Sequence, residues 1–418
     1  MQGQLFLLLP IFFPVVMAFV QYFLRLSAGQ RNVLTVVSLA VTAALALIAA
    51  SMQGASCVLW NMTDQIAVAF RVDEISVLFL ALVSIVWACA GLYATEYLEH
   101  DASPRRYFLF YLLTLAALMG LCMAKNLVTL YMFYEMMTLL SMPLVLHNLD
   151  KEAVAAAIKY LIYSVFGASA ALLGIFFVAA NAPSFDFSAG GLFAPGAPVD
   201  EKLALGIFFV MIVGFGVKAG MFPMHSWLPT AHPVAPASAS AVLSGVITKA
   251  GVLGIIRVIF YTAGVERLRG TWAQYAFMAL TLITVILGSL MAFKEKLFKR
   301  RLAYSTVSQV SYVLFGLSTM TTLGFVGALL HVVFHSLIKD TLFMSAGAVI
   351  HKTGKTSVEE MTGIGKRMPA TMWCFTIASL GLVGIPPTGG FISKWNIAEG
   401  AMGLGNAAAW FGPACLLV

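Results

Sequence analysis

Charge is scarce in this chain. Asp, Glu, Lys and Arg make up only 10% of residues, against 61% apolar, and mean hydropathy is +0.92. Soluble domains carry about 25% charged residues, so this composition excludes a soluble enzyme, which could not stay in solution with so bare a surface. Cysteine is sparse too. Cys57, Cys89, Cys122, Cys374 and Cys415 are scattered and none forms a CxxC pair. That leaves no iron–sulfur, zinc or disulfide framework. GxGxxG after a strand, a P-loop and the haem motif CxxCH are all lacking. The expectation is therefore no cofactor and no metal, with any redox chemistry supplied by a partner. The formal charge of +7 is not a nucleic-acid footprint, because the basic residues lie in short loops between apolar runs, where they set topology. The opening MQGQLFLLLPIFFPVVMAFV has no basic n-region and no clear small-residue cleavage site, and reads as a first transmembrane helix, not a signal peptide.

What is present is a series of apolar windows long enough to span hydrocarbon. They fall at about 4–24, 33–52, 75–97, 107–124, 127–146, 155–180, 203–223, 236–262, 272–292, 301–319, 322–350 and 371–400. A thirteenth begins near residue 404 and is still apolar at Val418. Loops after odd-numbered spans carry Arg25, Arg31, Arg105, Arg106, Lys151, the run from Lys294 to Arg301, Lys352, Lys355, Lys366 and Arg367. Loops after even-numbered spans carry only Arg71, Lys125, Lys202, Arg267 and Arg269. The odd loops are expected to face the cytoplasm and the N-terminus to lie outside. The same topology puts the long loop 181–201 outside, together with Asp73 and Glu74, which are expected to be solvated.

Two spans are interrupted by Gly and Pro, the seventh around Met221-Phe222-Pro223 and the twelfth at Gly384-Ile385-Pro386-Pro387-Thr388-Gly389-Gly390. They are five spans apart, an odd number, so they enter the membrane from opposite sides. Matched broken helices point to inverted repeats around a mid-membrane site, because backbone freed at a break is tolerated only inside protein or beside a watery cavity.

Ionisable residues inside the spans are the functional candidates, since each costs at least about 2.5–3.5 kcal/mol at bilayer depth. Glu135 lies midway along the fifth span, in LVTLYMFYEMMTLLSMPLVL, and Lys218, beside the seventh-span break, is its expected partner. Their alternative roles are a structural ion pair for Glu135 and, for Lys218, snorkelling to the interface or into a cavity at the break. Lys249, in SGVITKAGVLGII, sits too deep to snorkel and is the candidate central proton carrier, against the alternative of a locked interhelical pair. His331, His335 and Lys339 recur every four residues and so share one helical face. This spacing alone could hold zinc, but no HExxH glutamate and no third ligand accompany it. A proton relay with water fits better, with interhelical hydrogen bonding as the alternative. Lys394 follows the second break, as a functional lysine or as an interfacial anchor beside Trp395. His225 and His232 lie at the first break and could extend the path. Lys159, just inside the sixth span, has no assigned role.

The stretch VKAGMFPMHSWLPTAHPVAPASASAVLSGVITKAGVLGIIR resembles the antiporter-like membrane subunit family: the large proton-pumping subunits of respiratory complex I, subunits of Mrp sodium/proton antiporters, and subunits of energy-converting membrane-bound hydrogenases. The likeness extends from about Asp73 to Lys394. It implies an all-α polytopic membrane protein of about fourteen helices, with two inverted five-helix repeats and discontinuous seventh and twelfth helices. Glu135, Lys218, Lys249, His331, His335 and Lys394 match the family's polar axis. Asp340 departs from it, standing where the family usually has a small residue. Lysine at 394 fits most members, one complex I member having glutamate there.

The expected organisation is three N-terminal helices (1–100), a first repeat (101–265) and a second (266–418). The expected function is proton translocation within a larger assembly, in contact with other membrane subunits and lipid, in a bacterial or archaeal cytoplasmic membrane. The alternatives are sodium/proton exchange, as a subunit or free-standing, and a scaffold that translocates nothing. The chain itself is expected to catalyse no redox reaction, although its assembly could be a quinone- or hydrogenase-type translocase.

Overall fold

A backbone in hydrocarbon must satisfy its own hydrogen bonds, so each long apolar run is a helix. The computed structural model describes residues 6–63, 66–193, 199–405, 407–410, 412 and 414. Helices α1 (Leu9–Phe23), α2 (Ala28–Ser51), α3 (Glu74–Tyr97), α4 (Pro104–Cys122), α5 (Leu127–Val145) and α6 (Lys151–Asn181) are the first six spans. The seventh is split into α7 (Glu201–Ala219) and α8 (Trp227–Val234). The eighth to eleventh are α9 (Ala237–Ala263), α10 (Trp272–Lys294), α11 (Phe298–Ser318) and α12 (Thr322–Thr353). The twelfth is split into α13 (Pro369–Val383) and α14 (Gly389–Met402). Of the expected thirteenth span, residues 406, 411, 413 and 415–418 lie outside the described residues.

Polar residues just before the apolar runs start these helices by accepting from free N–H groups in the first turn. Asp73, Asn126, Asp150, Asp200 and Thr321 all do so, and Ser27 with Gln30 forms a capping box. Between α2 and α3 the chain forms an antiparallel pair, β1 (Ser56–Asn61) with β2 (Ala67–Arg71), in the register Ser56 to Arg71 and Asn61 to Ala67. The pair is tied to the start of α5 by Ala69 N–H donating to Thr129 Oγ1 (3.0 Å) and Asn126 Nδ2 donating to Ala67 O (2.8 Å). It forms where β-branched and aromatic residues alternate in a stretch too short to span, and the hydropathy windows do not register it.

The helix α9 is the central post. All of its most apolar window is buried, whereas only a third of the corresponding window is buried for α2 and α10; those two present their remaining faces outward. The even-numbered loops meet on one face of the bundle: Arg71 N–H donates to Met123 O, Phe187 N–H to Lys125 O, and Leu192 N–H to Thr262 O. The odd-numbered loops meet on the other, where they line a cleft of about 500 Å³ between Tyr97, Asp101, Asn148, Pro236, Lys299 and His351.

Close backbone approach fixes α6 against α7. A Cβ at Gly167 would lie 2.5 Å from Gly214 O. Gly167→Val is expected to cost roughly 1–3 kcal/mol through overpacking. The loss should appear as a reduced monodisperse fraction on size exclusion in detergent, with Gly206→Ala, which has open space around it, as the unaffected control.

The two breaks are built alike. Helix α7 ends at Gly220 (φ 79°) and α13 at Gly384 (φ 89°), both left-handed positions that suit only glycine. In each, a side chain from the following half-helix donates to carbonyls in the last turn before the break. Trp227 Nε1 donates to Val217 O (2.9 Å), and Lys394 Nζ to Leu382 O (3.1 Å) and Val383 O (3.2 Å). The segment after Pro223, with His225 and His232, is mostly the half-helix α8, which forms despite prolines at 229 and 233.

Candidate functional site: a buried line of lysines and histidines

Lys218 sits in the last turn of α7 and is fully buried. Its ammonium donates to Thr138 Oγ1 (2.9 Å), Tyr160 OH (3.1 Å) and Ser164 Oγ (2.7 Å), and lies 4.4 Å from the Tyr160 ring centroid. These groups come from α5 and α6, with Tyr160 and Ser164 one turn apart. Three hydroxyls saturate the three donors of a lysine. Glu135, one turn before Thr138 on α5, is half-buried; its Oε1 has no hydrogen-bond partner, and it makes no ion pair with Lys218. The expected pair is therefore open in this structure. The hydroxyl cage was not read from the sequence, although Tyr160 and Ser164 at i, i+4 in an apolar helix were a visible signal.

Helix α9 connects this cage to the second half. A Cβ at Gly251 would touch Lys218 Cβ at 3.2 Å, and Lys249, two residues earlier, is 1% exposed. Lys249 Nζ donates to Ser244 O (2.5 Å) and meets His335 Nδ1 at 2.7 Å. Ser244 lies in a π-helical turn, Leu243–Ile247, where the widened backbone lets one carbonyl take a side-chain donor. His335 stacks near His331, with ring centroids 6.0 Å apart. His331 completes the line through Ser393 Oγ (2.8 Å from Nδ1) and Gln309 Oε1 (3.1 Å from Nε2). Lys394 lies one residue beyond Ser393, its ammonium 4.6 Å from the Tyr312 ring centroid; the same ring lies 6.0 Å from His331.

Lys339 shares the α12 face but turns to α11, donating to Leu302 O (2.9 Å) and to Ser305 Oγ. His232, on α8, is fully buried with neither ring nitrogen hydrogen-bonded, and stacks on Phe343 at 4.6 Å. Its charged neighbours are Lys299, Lys339 and Lys249. Two unsatisfied nitrogens at a buried polar junction are a place for ordered water. His225 stands apart, half-buried beside Phe222, with Lys159 as its charged neighbour. Lys159 itself donates to Thr230 Oγ1 (3.0 Å), which tethers α6 to α8.

The structure thus brings Lys249, His335, His331 and Lys394 together, places Lys218 one helix contact away, and leaves Glu135 and His225 at the margins. Ser244, Gln309 and Ser393 were missed in the sequence, because a lone polar residue in an apolar helix reveals no partner. Asp73, expected to be solvated, instead caps α3 and holds Arg257 in a buried two-point ion pair, with N–O distances of 2.5 and 2.9 Å.

Residues 124–415 match the family described as NADH:quinone oxidoreductase/Mrp antiporter, transmembrane region, and residues 60–108 match the N-terminal region of complex I chain 5. The chain belongs to the NADH:quinone oxidoreductase/Mrp antiporter family. Its relatives in that family include NADH-quinone oxidoreductase subunit N of Desulforudis audaxviator, 33% identical over 351 residues, which cover 83% of this chain and 68% of that one. Hydrogenase-4 component B of Escherichia coli is 33% identical over 352 residues, 81% of this chain and 52% of that one, so this chain spans about half of that relative. A Na(+)/H(+) antiporter subunit of Alkalihalophilus pseudofirmus is 28% identical over 340 residues, covering 81% of this chain and 68% of the relative. The fold is shared with a chain of an archaeal membrane-bound sulfane sulfur reductase complex (TM-score 0.84, 23% identity, 98% of this chain and 84% of that one). It is shared equally with a chain of the Mrp complex from Dietzia sp. (TM-score 0.86, 22% identity, 100% and 79%). This member of the NADH:quinone oxidoreductase/Mrp antiporter family is therefore an integral, multi-pass membrane protein.

Proposed function

We propose that this chain is the proton-translocating membrane subunit of a larger complex I-like, hydrogenase-like or Mrp-like assembly. The observation that carries this reading is the buried contact of Lys249 with His335 (2.7 Å), which joins the two halves of the chain through groups that can each bind or release a proton. Glu135, Lys218, Lys249, His331, His335, Lys339 and Lys394 form the path, with His225 and His232 at the first break. The two inverted repeats are residues 101–265 and 266–418, after three N-terminal helices. The N-terminus lies outside a bacterial or archaeal cytoplasmic membrane, and the odd-loop cleft opens to the cytoplasm. Other membrane subunits and lipid cover the outer faces. Energy comes from redox chemistry in partner subunits or from an opposing ion gradient. Sodium/proton exchange is the second reading, favoured by the likeness to a sodium/proton antiporter subunit.

The test is proton uptake by vesicles holding the intact assembly, with co-purification of the partners as the check on assembly. Lys218→Ala is expected to assemble and to lose transport by about 100-fold, the low end of what a positioned acid–base group contributes. Unchanged transport in an assembled variant would make the subunit a scaffold. Repeating the assay with and without sodium separates the two transport readings.

A further inference from the structure

Positive charge gathers at one place that the lysine–histidine line does not use. Arg31, Arg105 and Arg106 line a pocket of about 300 Å³ on the odd-loop face, closed by Tyr22 of α1 and by Ser103 and Pro104 at the start of α4. In the sequence these arginines belong to two different loops. They meet because α1 packs on both α2 and α4.

Arg31, the fourth residue of α2, is only 7% exposed. Its NH2 donates to Asn32 Oδ1 (3.3 Å), but its Nε has no partner. Its backbone is held from two sides. Thr35 Oγ1 lies 2.9 Å from Arg31 O and 3.0 Å from Gln21 Oε1 of α1, and Asn32 Nδ2 donates to Thr95 O of α3 (3.2 Å). Arg105 and Arg106 are the second and third residues of α4. Arg105 donates to Leu26 O (3.3 Å) and Arg106 to His147 O, each through NH2 alone, so other donors of each five-donor fork stay available.

Nothing negative balances this cluster. Neither α2 nor α4 has an acidic residue in its first turn, and α4 has no side-chain cap. Helix N-termini are themselves positive, so two such ends and three guanidinium groups converge on one pocket. Asp101 is engaged elsewhere, with Oδ1 on His147 Nε2 (2.9 Å) and on the Ser103 N–H (2.8 Å). The exposed Glu99 is an electrostatic neighbour of Arg31, yet among the described residues none of the three arginines is in an ion pair. A buried guanidinium with an unpaired N–H and no counter-charge is costly until an anion completes it.

The surroundings say which anion fits. Guanidinium forks match phosphate oxygens bidentately. Tyr22 is 42% exposed and meets the ring of Phe23, 74% exposed, at 5.4 Å; exposed aromatic rings of this kind mark the headgroup level of a bilayer. From there Phe19, Val16 and Phe12 run towards mid-membrane at helical spacing, all exposed on one face of α1. An apolar track leading away from an arginine pocket suits a phosphate joined to acyl chains, and basic pockets between spans are where anionic headgroups bind. We propose that the pocket of Arg31, Arg105 and Arg106 holds the phosphate of an anionic phospholipid, whose acyl chains lie along the Phe12 to Phe23 face of α1. This site does not rest on the proposed transport function.

The test is native mass spectrometry of the intact assembly, delipidated and then titrated with phosphatidylglycerol, with phosphatidylcholine, or with phosphatidylglycerol in equimolar inorganic phosphate. Phosphatidylglycerol is expected to bind roughly tenfold more tightly than phosphatidylcholine and to resist the phosphate. Arg105→Glu reverses the charge of an exposed side chain, which spares the core. It should weaken phosphatidylglycerol about 30-fold, two charge steps of about fivefold each, and leave phosphatidylcholine unchanged. Arg31→Gln should weaken it about fivefold. Lys352→Ala removes an exposed charge from the same face outside the pocket and should change nothing. Equal binding of the two lipids, or unchanged phosphatidylglycerol binding in an assembled Arg105→Glu variant, would overturn the site. An equal loss in Lys352→Ala would reduce it to general attraction to a basic face. Displacement of the lipid by equimolar phosphate would give the pocket to a soluble phosphate and overturn the lipid.

Discussion

Replacing Lys249 by methionine is expected to stop proton translocation while leaving the chain about as stable as before. The ammonium is 1% exposed, and both of its partners, Ser244 O and His335 Nδ1, are neutral acceptors. A buried charge with no opposite charge beside it costs several kcal/mol, and replacing buried ionic groups by apolar ones of similar volume is often neutral or stabilising. Methionine keeps the length of the chain and fills the same channel. Against this gain stands His335, which would lose the partner of Nδ1 when Nε2 is already unsatisfied, a cost of about 1–3 kcal/mol. Ser244 O keeps a donor, Thr248 Oγ1 at 2.9 Å. These contributions roughly cancel. Transport should fall by about 100-fold, because no proton can rest between the Lys218 cage and the His335–His331 pair. Thermal unfolding in detergent and vesicle proton uptake, measured on the same preparation, check both halves. A large drop in melting temperature with transport intact would mean that Lys249 is interhelical glue.

Asp73→Ala is expected to be the most destabilising change outside the polar line, at about 3–5 kcal/mol, because it strands a buried guanidinium. Arg257 is 1% exposed, and lies 4.9 Å from the Phe187 ring centroid and 4.6 Å from that of Tyr261. Its NH1 and NH2 grip both oxygens of Asp73, and NH2 also reaches Ser76 Oγ at 3.3 Å. The pair closes the start of α3 onto the far end of α9, the central post. Asp73→Asn keeps the helix cap, itself worth about 0.5–2 kcal/mol, and should lose less. The pH dependence follows from the same contacts. Burial pushes the Asp73 carboxyl up, but the hydrogen bond and charge of Arg257, with help from Ser76, hold it below its ordinary value of 3.8. A depressed folded-state value stabilises the fold above the unfolded-state value, and that stability is lost as pH falls through the folded one. Melting temperature should therefore drop below about pH 4 in the wild type, with a shallower drop in Asp73→Asn. Parallel acid profiles for the two would remove Asp73 from this role.

Much of this molecule is legible in the chain because hydrocarbon allows so few solutions. Apolar runs of about twenty residues had to be helices, and the observed helices from α2 to α14 follow the runs closely. Gly220 and Gly384, each followed by proline, stop helices at the two breaks whatever surrounds them, since only glycine takes the left-handed turn freely. Charges at mid-membrane depth are so costly that Lys218, Lys249, His331, His335 and Lys394 stood out without any knowledge of their partners.

The partners themselves were beyond reach. That Lys218 rests among Thr138, Tyr160 and Ser164 and not on Glu135, and that Asp73 is bound to Arg257 across 184 residues, both depend on how helices rotate against one another. Periodicity shows that a helix has faces; it does not say which neighbour each face meets. In a membrane the ambiguity is sharper, because lipid is as apolar as the packed interior and hydropathy no longer marks the inward side. The sequence by itself determined the spans, the breaks and the residues worth suspecting. Only tertiary packing, set by close contacts such as Gly167 on Gly214 and Gly251 on Lys218, decided which of those residues touch.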